Sequence, residues 1–300
     1  MGAFPPKRFS IEKAADLLPF PASRTHKYAR GKVTVVAGSP RYPGAAVLAC
    51  RAAQRMGAGY VEAVVSAQAV LPVRMSGPSL VVADRDGWDP PLLESTAERP
   101  LSVLIGSGFD AVGDAAECGR LCELVFDRAM CPVVVDGGAL SFVARRDMRS
   151  ALRARANRGA VAVLTPHAGE ADRLAEAAGL PDVFLSESPW EACAHLARAY
   201  SAVVCLKGPD TYVSDGIRTY LIDQGGPELA KAGTGDVLAG MVAALAAQRQ
   251  DDVFRAVATA VSLHAEAGRL AADDRTSIGV IPEDVVEKLG AAIKWAASYR

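Results

Sequence analysis

"KAGTGDVLAGMVAALA", residues 231–246, sets Gly233, Gly235 and Asp236 directly ahead of an unbroken run of small apolar side chains. From Val237 to Ala247 there is no charged residue on any face, the pattern of a helix buried all round. Such a helix, beginning near Val237, has its N-terminus inside the protein. The glycines lower the steric cost of a tight arrangement of main-chain N–H groups, and the positive end of the helix adds to it, so an anion is expected there. Asp236 is then a carboxylate at the mouth of an anion hole. The helix dipole is expected to keep it ionised, which suits a general base acting on a hydroxyl while phosphate rests on the neighbouring amides. The competing reading is a plain helix cap. Asn caps as well as Asp but cannot act as a base, so that substitution separates the two.

Upstream, short apolar runs recur at Val33–Ala37, Tyr60–Val65, Leu80–Ala83, Val103–Ile105, Pro132–Asp136, Val161–Leu164 and Val203–Leu206. Several are apolar at consecutive positions, as strands buried on both faces are. Between them lie helix-like stretches at Ala45–Met56, Asp114–Ala129, Met148–Ala156, Glu170–Ala178 and Pro189–Ala199. This alternation predicts an α/β fold, a mostly parallel sheet with helices on both faces. "TYVSDGIRTYLI", residues 211–222, breaks the rhythm: Asp215-Gly216 between two alternating runs predicts a hairpin at the antiparallel edge of the sheet. Three helices follow, at Val237–Gln248, Asp252–Ala272 and Pro282–Trp295. No repeat, low-complexity tract or linker divides the chain, so residues 1–300 read as a single domain.

Composition narrows the class. Half the residues are apolar and the net charge is −1, which favours a large core and argues against a nucleic-acid groove or an acidic membrane surface as partner. The run Val237–Ala247 falls well short of the roughly 20 residues a membrane-spanning helix needs. The opening MGAFPPKRFS has no apolar signal region, and a cytoplasmic protein is expected. Six cysteines show no C-x-x-C pair and no metal-finger spacing, and read as free buried thiols.

In sheets of this kind ligands bind at the carboxyl ends of the strands. After the first of these runs, "GSPRYPGAAVLACRAAQRMGAG" (38–59) opens a helix of small residues at Gly44-Ala45-Ala46, whose free amides suit an anion or make a tight turn. "LIGSGF" (104–109) carries Gly106 and Gly108, which permit close approach of a ligand or of another strand. "VVVDGGAL" (133–140) ends a strand at Asp136, a Mg²⁺ contact through water or a helix cap. "VLTPHAGEADRL" (163–174) carries Thr165, His167 and Glu170, with Glu170 placed to favour a helix start or to act functionally. "CLKGPDTYV" (205–213) puts Lys207 at a strand end, where it meets a phosphate or solvent.

G-T-G-D at a buried helix start resembles the anion-hole motif of the ribokinase-like superfamily. "HKYARGKVTVVAGSPRYPGAA", "LTPHAGE", "LKGPDTYV" and "PELAKAGTGDVLAGMVAALAAQ", in this order, look more narrowly like the ADP- or ATP-dependent NAD(P)H-hydrate dehydratases, over nearly the whole chain. The resemblance implies a ribokinase-like three-layer α/β/α sandwich. It implies repair of hydrated NADH or NADPH by phosphorylating the added ring hydroxyl and eliminating phosphate, with ADP or ATP as donor and Mg²⁺ as cofactor. Carried over residue by residue, Asp236 is the base and also contacts the substrate. Ala45, Gly106 or Gly108, and His167 contact the hydrated cofactor. Lys207, Gly208, Pro209, Asp210 and Thr211 line the nucleotide side, Gly233, Thr234 and Gly235 hold the phosphoryl group, and Glu170 helps to hold Mg²⁺ through water. A homo-oligomer, a tetramer by resemblance, is expected, with the basic arm Arg24–Lys32 facing a neighbouring subunit or a phosphate. No epimerase domain precedes the first strand, so epimerisation is expected from a separate chain.

The chain departs from the family pattern at Gly138, where a second acidic residue is usual, at Gly226, where Asn is common, and at Ala232, in place of a glycine. Two rivals therefore stand beside the dehydratase: a small-molecule kinase of the same superfamily and a non-catalytic nucleotide-binding protein.

Overall fold

All seven apolar runs form parallel strands of one sheet in the computed structural model, which describes residues 5–110, 112–180 and 188–300. In chain order the strands are β1 (Lys7–Arg8), β2 (Lys32–Val36), β3 (Tyr60–Val65), β4 (Val81–Asp84), β5 (Leu93–Glu94), β6 (Leu101–Ile105), β7 (Ala129–Met130), β8 (Val133–Val135), β9 (Ala162–Leu164), β10 (Val203–Leu206), β11 (Thr211–Ser214) and β12 (Thr219–Ile222). Ten of them form the main sheet in the order β1-β12-β11-β10-β9-β8-β6-β2-β3-β4, while β5 and β7 pair separately. The Asp215-Gly216 hairpin forms as expected, and β11 is the one strand of this sheet antiparallel to its neighbours. The hairpin is not quite the rim, because β1 adds outside β12.

Alternation within each strand divides the interior in two. Val35, Leu104, Val134, Val163 and Cys205 face one helical layer, containing Pro43–Arg55, Thr234–Gln248, Val253–Gly279 and Pro282–Ala297. Val36, Ile105, Val135, Leu164 and Leu206 face the other, made by Ala115–Arg128, Gly138–Val143, Arg146–Asn157, Ala168–Ala178 and Pro189–Tyr200. This is a three-layer α/β/α sandwich. In the second layer the buried Arg155 guanidinium donates to the Ala129 and Cys131 carbonyls, the latter at 2.9 Å, and so ties its helix to the turn before β8. All six cysteines are free and buried. Among the described residues no helix is long and apolar enough to cross a membrane.

The helix Thr234–Gln248 is the axis of the first layer, with twelve of its fifteen residues buried. It crosses Pro43–Arg55 at Gly240, where a Cβ would stand 2.1 Å from the Ala49 carbonyl oxygen. On its sheet side the Ser102 hydroxyl donates to the Ala243 carbonyl at 2.7 Å. The helix begins three residues earlier than its apolar run suggests. Gly233 takes the N-cap position with φ 102°, so Asp236 lies inside the first turn rather than ahead of it.

Strand register sets the position of everything that follows. Val36 lies opposite Ile105, Ile105 opposite Val135, Val135 opposite Leu164, and Leu164 opposite Val204. The carboxyl ends are level, and the loops after β6, β8, β9 and β10 meet the start of the buried helix.

Candidate active site

Four of those loops are joined through one carboxylate. Asp136, just past β8, is 3% exposed. Its Oδ2 accepts from the Ser107 hydroxyl at 2.9 Å. Its Oδ1 accepts from the Thr165 hydroxyl at 2.7 Å and from Lys207 Nζ at 3.0 Å. Asp136 thus fixes the Lys207 ammonium, and neither of its sequence readings anticipated that role. Lys207 also holds its place through the main chain: its N–H donates to the Pro166 carbonyl at 2.8 Å, and it bridges to His167 in parallel register.

The electrostatics follow from crowding these groups away from water. Burial alone would push the Lys207 ammonium down, but the Asp136 and Glu170 carboxylates outweigh it and hold its pKa above the usual lysine value. Asp236 goes the other way. Burial first, and then the Asp136 carboxylate, push it up to about 7, with the Lys207 charge and a Ser107 hydrogen bond offsetting only part. This corrects the expectation of a carboxylate kept ionised by the helix dipole. Loss of water and a neighbouring like charge outweigh the dipole, and the group titrates near neutrality.

The helix start completes the cluster. Among the described residues no carbonyl accepts from the N–H of Gly235 or Asp236, as the first turn of a helix leaves them. A Cβ at Gly235 would come within 3.5 Å of Lys207 Nζ, so the ammonium faces that turn. Positive charge, free amides and a half-ionised carboxylate meet at one point. Such a point can hold a phosphoryl group and take a proton from a hydroxyl beside it.

A cavity of about 750 Å³ opens from here. Lys207, Gly208, Pro209 and Thr211 line one wall, and Thr234 and Gly235 line the inner end. His167 stands on the same wall, with these residues. Asp210 is exposed and outside the lining, and Gly233 is also outside it. Gly233 has its own structural demand: beyond its left-handed φ, a Cβ would stand 2.8 Å from Pro282.

Ala45, Gly106 and Gly108 lie outside this lining and form a second group around Ser107. Gly106, at φ 113°, has room for no side chain, since a Cβ would lie 2.0 Å from the Asp136 carbonyl oxygen. A Cβ at Gly108 would lie 2.6 Å from that of Ala45. Both glycines serve close approach of neighbouring loops. Ser107 between them had escaped the sequence reading. The signal was there, a lone hydroxyl between two strand-end glycines.

His167 and Glu170 are first of all a local device. The Glu170 N–H donates to His167 Nδ1 at 3.4 Å, and the His167 N–H donates to Glu170 Oε2 at 2.8 Å, a reciprocal cap on Ala168–Ala178. His167→Ala should therefore cost about 1 kcal/mol of stability, and His167→Asn, which still caps, much less. If the imidazole also contacts a ligand, His167→Asn will raise KM while its thermal midpoint stays near that of the parent. Paired melting curves and KM values for the two variants read this directly.

The departures from the family pattern have local causes. A side chain at Gly138 would meet Phe109, whose Cβ is 2.7 Å from the added carbon. At Gly226 the place of a side chain is filled by the Glu228 carboxylate, with oxygens 2.3–2.6 Å from an added Cβ. Neither touches the Asp136–Lys207 pair.

Comparison with known proteins bears on this geometry. The family model described as NAD(P)H-hydrate dehydratase matches residues 33–290. An ADP-dependent (S)-NAD(P)H-hydrate dehydratase of Xanthomonas campestris is 32% identical over 275 residues, covering 89% of each chain. A bifunctional NAD(P)H-hydrate repair enzyme of Moorella thermoacetica is 36% identical over 91% of this chain. The chain spans about half the length of such bifunctional relatives. A Bacillus subtilis ADP/ATP-dependent NAD(P)H-hydrate dehydratase, co-crystallised with ATP/Mg²⁺, superposes with a TM-score of 0.82 at 27% identity, covering 98% of this chain and all of that one.

Proposed function

Since the chain belongs to the NAD(P)H-hydrate dehydratase family, we propose that it restores the S epimer of hydrated NADH or NADPH, phosphorylating the ring hydroxyl with ADP or ATP and eliminating phosphate. The observation that carries this reading is the meeting of Asp236, Lys207 and the free amides of Gly235 and Asp236 at one helix start. Asp236 takes the hydroxyl proton as the substrate oxygen bonds to phosphorus and the donor's bridging P–O bond breaks. Lys207, held by Asp136, neutralises charge on the transferring group, and the amides hold its oxygens. In the second half-reaction the ring C–O bond breaks. Phosphate carries off the electron pair that hydroxide would have carried poorly, and a ring proton is lost.

The nucleotide occupies the 750 Å³ cavity, with Gly208, Pro209 and Thr211 beside it. Ala45, Gly106 and Gly108 face the hydrated ring on the other side. Besides Asp236, the carboxylates whose charge reaches Lys207 at this end of the site are Asp136 and Glu170. Glu170 would help to hold Mg²⁺ through water, as suits an ion that keeps its waters and binds through phosphates with one or two carboxylates. When bound it supplies further neutralisation of phosphate charge. A homo-oligomer, a cytoplasmic setting and an epimerase on another chain complete the proposal.

The direct test mixes the protein with Mg²⁺, hydrated NADH and ADP or ATP, and follows the return of dihydropyridine absorbance. A stable phosphorylated product without that return would make the protein a kinase instead, and tight nucleotide binding without turnover would make it a binding protein. Because Asp236 must be ionised to accept a proton, kcat/KM should rise about tenfold per pH unit up to about 7 and then level. A profile flat from pH 5.5 to 8 would remove Asp236 from the role of base.

A further inference from the structure

One buried polar atom on the wall of the nucleotide cavity has no partner in the protein. His264 sits on the helix Val253–Gly279 between Val261 and Ala265, and all three line the cavity. The residue is 7% exposed, and its Nε2 makes no hydrogen bond. Burial pushes its pKa down to about 4, and the Lys207 charge acts in the same direction, so the ring is neutral at neutral pH. A hydrogen bond to the Thr234 main chain opposes these effects. A bond that favours the protonated ring must accept its N–H, so the acceptor is the Thr234 carbonyl and the donor is Nδ1. A neutral ring with its proton on Nδ1 carries a lone pair on Nε2. A side chain that lines the cavity therefore carries a buried acceptor left unpaired, which costs free energy that a bound donor would recover.

The position says which donor. On one side of His264 is Thr234, at the turn whose free amides receive phosphate. Val261, Ala265, Leu229 and Ile222 line the same cavity, an apolar stretch of wall suited to a flat base. A nucleotide laid with its phosphates on the amides and its base in the slot puts its sugar between them, and a sugar hydroxyl is a donor. We propose that His264 Nε2 accepts a hydrogen bond from a ribose hydroxyl of the bound adenine nucleotide, and so determines the preference for ribonucleotide over deoxyribonucleotide. The assignment rests on the nucleotide reading of the cavity.

Calorimetric titration with ADP, 2′-deoxy-ADP and 3′-deoxy-ADP tests it, using the parent protein, His264→Leu and His264→Gln. The parent should bind ADP roughly five- to thirty-fold more tightly than one of the two deoxy analogues, and which one identifies the hydroxyl. His264→Leu should bind ADP as weakly as that analogue, with the preference gone. His264→Gln, which can offer its amide oxygen, should keep part of it. Equal binding of all three nucleotides by the parent, or a full preference in His264→Leu, overturns the assignment. No binding of ADP at all would instead sink the nucleotide reading, so the two failures are distinguishable. Should the variants not fold, the nitrogen resonance of His264 Nε2 in the parent decides: it should move on addition of ADP and stay put with the discriminating analogue, and no movement with ADP refutes the proposal.

Discussion

Asp236→Asn should lower turnover by roughly 10²–10⁴-fold, the usual worth of a positioned base, while nucleotide binding stays near the parent value. Asn is nearly the same shape and suits a helix N-terminus, so the first turn and its amides persist. What is lost is the ability to accept a proton. The same substitution should make the protein more stable. The folded-state pKa of Asp236 is raised from 3.8 to about 7, so ionising the group is harder in the folded chain than in the unfolded one. The stability linked to its protonated form is full below pH 3.8 and is lost as pH rises through about 7. Above that range the parent carries a penalty of roughly 1–4 kcal/mol, which the uncharged amide avoids. Melting curves should therefore separate parent and variant at pH 8 and draw them together near pH 4. Unchanged turnover would return Asp236 to a purely structural part. A stability difference that ignores pH would mean that the carboxylate is not penalised by its surroundings.

Lys207→Met is the second large change. Removing the ammonium leaves Asp136 and Asp236 with no positive neighbour between them, and strips the transferring phosphoryl group of its nearest fixed charge. A loss of roughly 10²–10³-fold in kcat is expected, the scale seen when one stabilising donor is removed from a transition state. The pH profile distinguishes this from simple damage. Lys207 now lowers the Asp236 pKa, so without it the carboxylate titrates higher and the acid limb of kcat/KM moves to more alkaline pH. Because Lys207 is also the partner of a buried charge, circular dichroism and the melting temperature must first show that the variant folds. An acid limb that does not move would show that the two groups do not feel each other.

Much of this arrangement was legible in the sequence. The seven parallel strands and the hairpin announce themselves because a doubly buried strand must be apolar at successive positions, and because Asp215-Gly216 is a local turn signal. The buried helix is equally plain. Its first turn is harder to read, since Thr234, Gly235 and Asp236 are weak helix formers and follow a glycine in a left-handed conformation. The helix Ala67–Ser76 was missed because Pro72 lies inside it, and β1 because two residues carry no periodicity. At the site, Asp236 and Lys207 were visible as residue types at strand and helix ends. That Asp136 joins Ser107, Thr165 and Lys207 was not, because it depends on strands adjacent in space and far apart in the chain. The same holds for His264, which looks like any histidine on a small-residue helix until it is seen to line the cavity with one ring nitrogen unpartnered.

The packing of Thr234–Gln248 on the sheet beside Pro43–Arg55 also bears on how the molecule comes to exist. Every strand of the sheet precedes Thr234 in the chain, so part of one face is closed by a segment made only after all of them. On a ribosome, that part of the face waits uncovered and greasy until the late helix emerges and settles against Ala49. Contacts so distant along the chain make for slow folding and a long window for sticking to neighbours. A protein assembled in this order depends on that late helix arriving promptly.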